Sequence, residues 1–119
     1  MTADRSERIA FLVREYEAFR RAAHRKDTVA SWRHLERAHI VAQPLPFEHV
    51  RAHAIMLRHA LFLKDMREAG GQIMRLGLAV IGNLAGHLPA GNTGRARTNA
   101  FAPMAVPADL EVFVQDVER

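Results

Sequence analysis

Glu36-x-x-His39 and His49-x-x-x-His53 stand on either side of a proline-rich turn, and between them they offer three imidazoles and one carboxylate. These are the donors that a divalent first-row transition ion takes where no sulfur is available. The chain has no cysteine, which excludes disulfides, thiolate metal sites and cysteine nucleophiles. Both pairs have helical spacing, since residues three or four apart share one face of a helix. Both also fall on inward faces. Val29, Trp32, Leu35, Glu36, His39 and Ile40 form one stripe, and His49, His53 and Met56 form a row on the next helix. A carboxylate within an apolar stripe is costly unless something pairs with it. Folding the two helices into a hairpin about Pro44 sets His39 against His49, Glu36 against His53 and Trp32 near Met56.

Glu36, His39, His49 and His53 are therefore the candidate ligands of an iron, zinc or copper ion. An open coordination position on that ion would allow redox or hydrolytic chemistry. Glu-x-x-His also occurs in helical bundles that hold iron or manganese through carboxylates. Here it occurs once, and Asp65 and Glu68 lie several turns beyond His53, which argues against a complete di-iron set. The alternative is a buried Glu/His network that satisfies itself. The protein would then be a non-enzymatic helical interaction module, a homo-oligomer or an adaptor.

Other residues carry weaker signals. His59 shares the main apolar face of its helix with Ile55, Phe62 and Met66 and reads as a satisfied core histidine, whereas His24 and His34 read as exposed. Met56 reads as a packing residue. His87, beside Gly86, could cap a helix end. Gly91-Asn92-Thr93-Gly94 is a turn signal followed by Arg95 and Arg97, so Asn92, Thr93, Arg95 and Arg97 are candidates for holding an anion. The other reading of that turn is structural: it would fold Phe101 and Met104 back over the helices. Ser6 and Ser31 are the only serines, and neither has a partnered base, which argues against a serine triad.

The elements that must position these groups are helices. Periodicity and capping signals predict helices over about 6–25, 28–41, 46–69, 72–85 and 107–114. Ser6 is placed as the first N-cap, Asp27 or Thr28 as the second, and Gly70-Gly71 as the stop of the third helix. Gly86, Pro89, Gly91, Gly94, Pro103 and Pro107 make 86–106 irregular. The expectation is an all-α antiparallel four-helix bundle, with an irregular C-terminal segment and a short last helix. The 119 residues, 49% of them hydrophobic, fit a single domain over 1–119. The formal net charge is +4, but the arginines are interleaved with acidic residues, which favours a solvated face over a nucleic-acid surface. On this reading Arg8, Arg14, Glu15, Glu17, Arg20 and Arg21 face water. The longest apolar run, Leu76 to Leu88, is broken by glycines and too short to span a bilayer, and no leader is visible at Met1 to Arg8, so a cytoplasmic location is expected.

Several segments together resemble a small bacterial family known as a domain of unknown function. They are Trp32-Arg-His-Leu-Glu-Arg-Ala-His39-Ile, His49-x-x-x-His53, Gly71-Gln72-x-x-Arg75-Leu76, Gly91-Asn-Thr-Gly94 and Ala100-Phe-x-Pro-Met104-x-x-Pro-x-Asp-Leu110. The resemblance spans about residues 28–110, and Arg95 to Asn99 depart from its pattern. It implies a bacterial, cytoplasmic, helical protein and supplies no reaction, substrate or cofactor.

Overall fold

A computed structural model describes residues 3–85 and 106–114, with residues 83–85 as backbone alone. Among the described residues there are helices and no strand. Four long helices form the expected antiparallel bundle: α1 (Arg5–His24), α2 (Thr28–Ala42), α3 (Pro46–Phe62) and α4 (Met66–Ala85). A 3-10 turn (Ala108–Leu110) runs into the short α5 (Glu111–Val114). The segment expected to be irregular, 86–106, lies outside the described residues except for Val106. No helix of the described residues is long and apolar enough to cross a membrane.

The two hairpins, α1–α2 and α3–α4, are closed by the same local device. Each first helix ends on a lysine in the left-handed region, Lys26 at φ 62° and Lys64 at φ 59°. In the first turn the Asp27 amide donates to the Ala22 carbonyl at 2.9 Å and the Lys26 amide to Ala23 at 3.0 Å. In the second the Asp65 amide donates to Ala60 at 2.9 Å and the Lys64 amide to Leu61 at 3.0 Å. These are the two bonds of a Schellman motif, which satisfy carbonyls left over at a helix end. The aspartate that follows then caps the next helix. Asp27 accepts from the Ala30 amide at 3.1 Å and Asp65 from the Glu68 amide at 3.0 Å.

This overturns the expected third helix over 46–69 and its stop at Gly70-Gly71. The break comes at Lys64-Asp65, and α4 starts at Met66 rather than Gln72. Asp65 supplies a specific acceptor for an orphan amide, whereas each glycine inside α4 costs only about 1 kcal/mol relative to alanine. The first cap is also corrected. It is Asp4, which accepts from the Glu7 amide at 2.8 Å while the Glu7 carboxylate accepts from the Asp4 amide at 2.9 Å. Ser6 only supports it, donating to Asp4 at 2.7 Å.

The core is centred on Leu12, Leu35, Val41, Met56 and Leu110, all almost fully buried. Leu110, Phe113 and Val114 pack against the chain's own helices, with the Phe11 and Phe113 rings 5.0 Å apart. This C-terminal cover changes the surface of α1. Arg8, expected in solvent, is 4% exposed and donates to the carbonyls of Val41, at 3.2 Å, and Phe113. Glu15, also expected outside, is buried. It accepts from Arg37 Nε at 2.8 Å and pairs with His34 Nδ1 at 2.7 Å, so His34 is half-buried rather than exposed. Arg37 extends the network to Asp109 on the 3-10 turn, and that contact holds the Asp109 carboxyl below its usual range. On α2, Val29 is exposed instead of inward, while Ser31 is buried and donates to the Asp27 carbonyl at 2.7 Å.

On α4 the usual polarity is reversed. Its buried positions include Glu68, Gln72 and Arg75, followed by Ala79 and Gly82, whereas Ile73, Met74, Val80 and Ile81 are exposed.

Arg8→Ala removes two bonds from a buried cation to carbonyls of α2 and α5. Bonds to charged groups contribute about 1.5–3 kcal/mol each, so the variant is expected to lose about 2–4 kcal/mol. Urea unfolding measures this directly, and a loss below about 1 kcal/mol would contradict the clamp.

Candidate metal centre

Position in the chain brings the histidines together. The α2–α3 connection is only Gln43-Pro44-Leu45, with the Leu45 amide bonded to the Ala42 carbonyl at 2.9 Å and Pro46 at the start of α3. His39 therefore lies in the last turn of α2, and His49 and His53 lie on the first two turns of α3. All three side chains are buried, at 2%, 3% and 3% exposure. Their ring centroids stand 4.6 to 5.0 Å apart. The Nε2 atoms converge: His39 to His53 is 3.1 Å and His39 to His49 is 3.2 Å. Among the described residues these three form the group whose donor atoms could hold a metal ion.

The hairpin geometry differs from the expected pairing in one respect. His39 faces both His49 and His53, which sit one turn apart on α3. Glu36 does not belong to the converging group; it lies half-buried on α2.

A third helix reaches the centre. The Gln72 amide oxygen lies 2.8 Å from His53 Nδ1, and its nitrogen donates to a Glu68 carboxylate oxygen at 2.9 Å. A carboxylate can only accept, so of the two ends of the Gln72 amide the NH2 bonds Glu68, and the amide oxygen is left facing His53. His53 Nδ1 must then carry the proton and donate it. The neutral ring presents a bare lone pair at Nε2, toward the other two histidines. Burial pushes the His53 pKa below its ordinary value; the bond to Gln72 opposes this and the nearby Arg75 cation adds to it. Burial likewise lowers the Arg75 pKa, against the attraction of Glu68.

The Gln72 relay has no local signature in the sequence. Gln72 and Arg75 do stand in one of the segments that carry the family resemblance, and that was the available signal. Asp65 caps α4, and Glu68 connects to the centre through Gln72. The other candidates fall elsewhere. His59 is buried, as expected, with its ring edge-on to Phe19 and Trp32 at 5.0 Å each. Asn92, Thr93, Arg95, Arg97 and His87 lie outside the described residues.

A family profile described as "Protein of unknown function (DUF3703)" matches residues 6–114. The chain belongs to this family. The matched span contains all three histidines together with Glu68, Gln72 and Arg75. Comparison with curated proteins and with solved structures finds no match.

The depressed pKa of His53 has a measurable consequence. Below about pH 6.5, the ordinary value, the unfolded chain takes up a proton at this position that the native metal-free protein refuses. Stability must fall as pH drops through that value, by up to about 1.4 kcal/mol per pH unit for one proton, and level off above it. Urea midpoints of chelator-treated protein between pH 5 and 8 test this. A flat profile, or one unchanged in His53→Asn, would contradict it.

Proposed function

We propose that this protein binds a divalent transition metal ion, zinc, iron or copper, through Nε2 of His39, His49 and His53. The supporting observation is a shortage of ways to place protons at His39. Its Nε2 faces two other imidazole nitrogens at hydrogen-bond distance, and His53 Nε2 is already an acceptor. If His39 Nε2 carries its proton, that proton serves His53 and His49 must compete for it. If His39 Nε2 is bare, it accepts from His49 and meets His53 lone pair to lone pair. One cation accepts all three lone pairs and removes the conflict. The spacing also fits: tetrahedral Zn–N bonds of about 2.0–2.1 Å put ligand nitrogens roughly 3.3 Å apart.

Three neutral ligands leave a fourth position for water or a substrate oxygen, which a bound ion would polarise. Glu68 and Gln72 would orient His53 and raise its basicity, the role of outer partners in metal sites. The buried polar residues of α4 support this reading: polar groups are costly to bury unless paired, and here the pairing runs from Glu68 through Gln72 to His53. The second reading, an interaction module, draws on the exposed Ile73, Met74 and Ile81 of α4 and would appear as a dimer in light scattering.

Protein purified without an affinity tag is expected to carry near-stoichiometric metal by elemental analysis, and the stripped protein to take up Co(II) with the visible absorption of a tetrahedral site. His53→Ala and His39→Ala should abolish uptake, and Glu36→Ala should weaken it less. Gln72→Leu is expected to lower affinity about 10- to 100-fold while leaving the fold intact. Failure of the stripped wild type to bind Zn(II) or Co(II) above micromolar concentrations would end the proposal.

A further inference from the structure

A second site lies on the other side of α3 and shares no residue with the histidine trio. Here α1 and α3 both lean on α2 and leave a groove between them, a cavity of about 480 Å³. Its walls are Tyr16 and Phe19 of α1 and Ile55, His59 and Phe62 of α3, with Trp32 edge-on behind His59. A smaller cavity of about 240 Å³ continues it past His59 and Phe62 toward Lys26. The rim is cationic: Arg20 comes from α1, and Arg51 and Arg58 from α3. Glu48 reaches Arg51 only at 3.6 Å, and Arg51 lies over the Tyr16 ring at 5.2 Å. Tyr16 is 4% exposed, and its hydroxyl has no hydrogen-bond partner among the described residues. A buried hydroxyl left unpaired costs about 1–3 kcal/mol, so a group placed there is normally used.

An apolar, aromatic floor under a ring of arginines, with a spare hydroxyl donor in the wall, is complementary to one ligand chemistry. We propose that the α1–α3 groove binds a small amphiphilic organic anion, a carboxylate or sulfonate carried on an apolar or aromatic body. The body would lie on Phe19, His59 and Phe62, and the anionic head would be held by Arg20, Arg51 and Arg58 with Tyr16 as a hydroxyl donor. Pockets of this size are typical of small-molecule sites, in which a few polar groups orient an apolar ligand. Arginine suits the head because its planar fork pairs with carboxylate-like groups.

The test uses two probes that differ only in charge, 8-anilinonaphthalene-1-sulfonate and the neutral N-phenyl-1-naphthylamine, titrated by fluorescence into the full chain. The sulfonate is expected to bind more tightly and to shift amide NMR signals of Phe19, His59 and Phe62. Reversing two rim charges, Arg20→Glu with Arg58→Glu, should weaken the sulfonate at least about tenfold and leave the neutral probe within about twofold. Tyr16→Phe should weaken the sulfonate a further few-fold, which general attraction to a basic protein would not do. Ile73→Lys, on the exposed face of α4, should change nothing. The proposal is overturned if both probes bind equally, if the NMR shifts map to α4, if Ile73→Lys abolishes binding, or if the charge reversal leaves the sulfonate affinity unchanged. Binding of an acidic peptide without any binding of the sulfonate would overturn it equally.

Discussion

An imidazole nitrogen can offer one proton or one lone pair, never both, and three such nitrogens are pressed together where α2 turns into α3. The turn leaves them little choice. Gln43-Pro44-Leu45 is too short to let the two helices splay, so His39 must meet the first two turns of α3. The side chains are buried, so water does not mediate between them. The rest of the local structure reads as a response. Glu68 orients Gln72, Gln72 fixes the His53 proton on Nδ1, and α4 turns its polar residues inward to make this possible.

That arrangement carries a stability cost that packing alone would not select. A helix normally buries its apolar stripe, whose side chains contribute roughly 1.5–3 kcal/mol each when fully covered. In α4 the buried stripe begins with Glu68, Gln72 and Arg75, and several large apolar residues face outward. Buried polar networks of this kind recur where a site must be held in one geometry. Burial keeps the His53 ring neutral, the form that can donate a lone pair.

How much of this could be read from the sequence follows from the range of the forces involved. The four long helices and the pairing of His39 with His49 were legible, because periodicity, caps and a short proline turn are local. The split at Lys64-Asp65 is hard to read in sequence because two glycines look like a stronger punctuation than a lysine, and the helix end rests on the left-handed Lys64 and the Asp65 cap together. Arg8 and Glu15 sit at spacings that read as a solvated face. Only the return of Leu110 and Phe113 from far along the chain buries them, and no local pattern encodes that contact. Gln72 was invisible for a similar reason. Its partner lies across the α3–α4 hairpin, and a turn read at Gly70-Gly71 instead of Lys64-Asp65 sets His53 and Gln72 far apart.

The position of the centre also bears on how the two halves cohere. Each hairpin is internally sealed by its Schellman turn, capping aspartate and interdigitated helices, whereas the α2–α3 seam between them is held by a smaller set of buried residues around Val41, Ala52 and Met56. The trio sits on that seam and, through Gln72, draws on α4 as well. A ligand that binds only the assembled seam adds stability as the logarithm of its concentration over its dissociation constant, about 2.7 kcal/mol at a hundredfold excess. Without an ion, one proton at His39 Nε2 is shared between the His49 and His53 nitrogens. On the proposed function, metal and fold are coupled in both directions: an ion bound to Nε2 of His39, His49 and His53 would tie α2 to α3, and the short turn would supply the preorganised ligands.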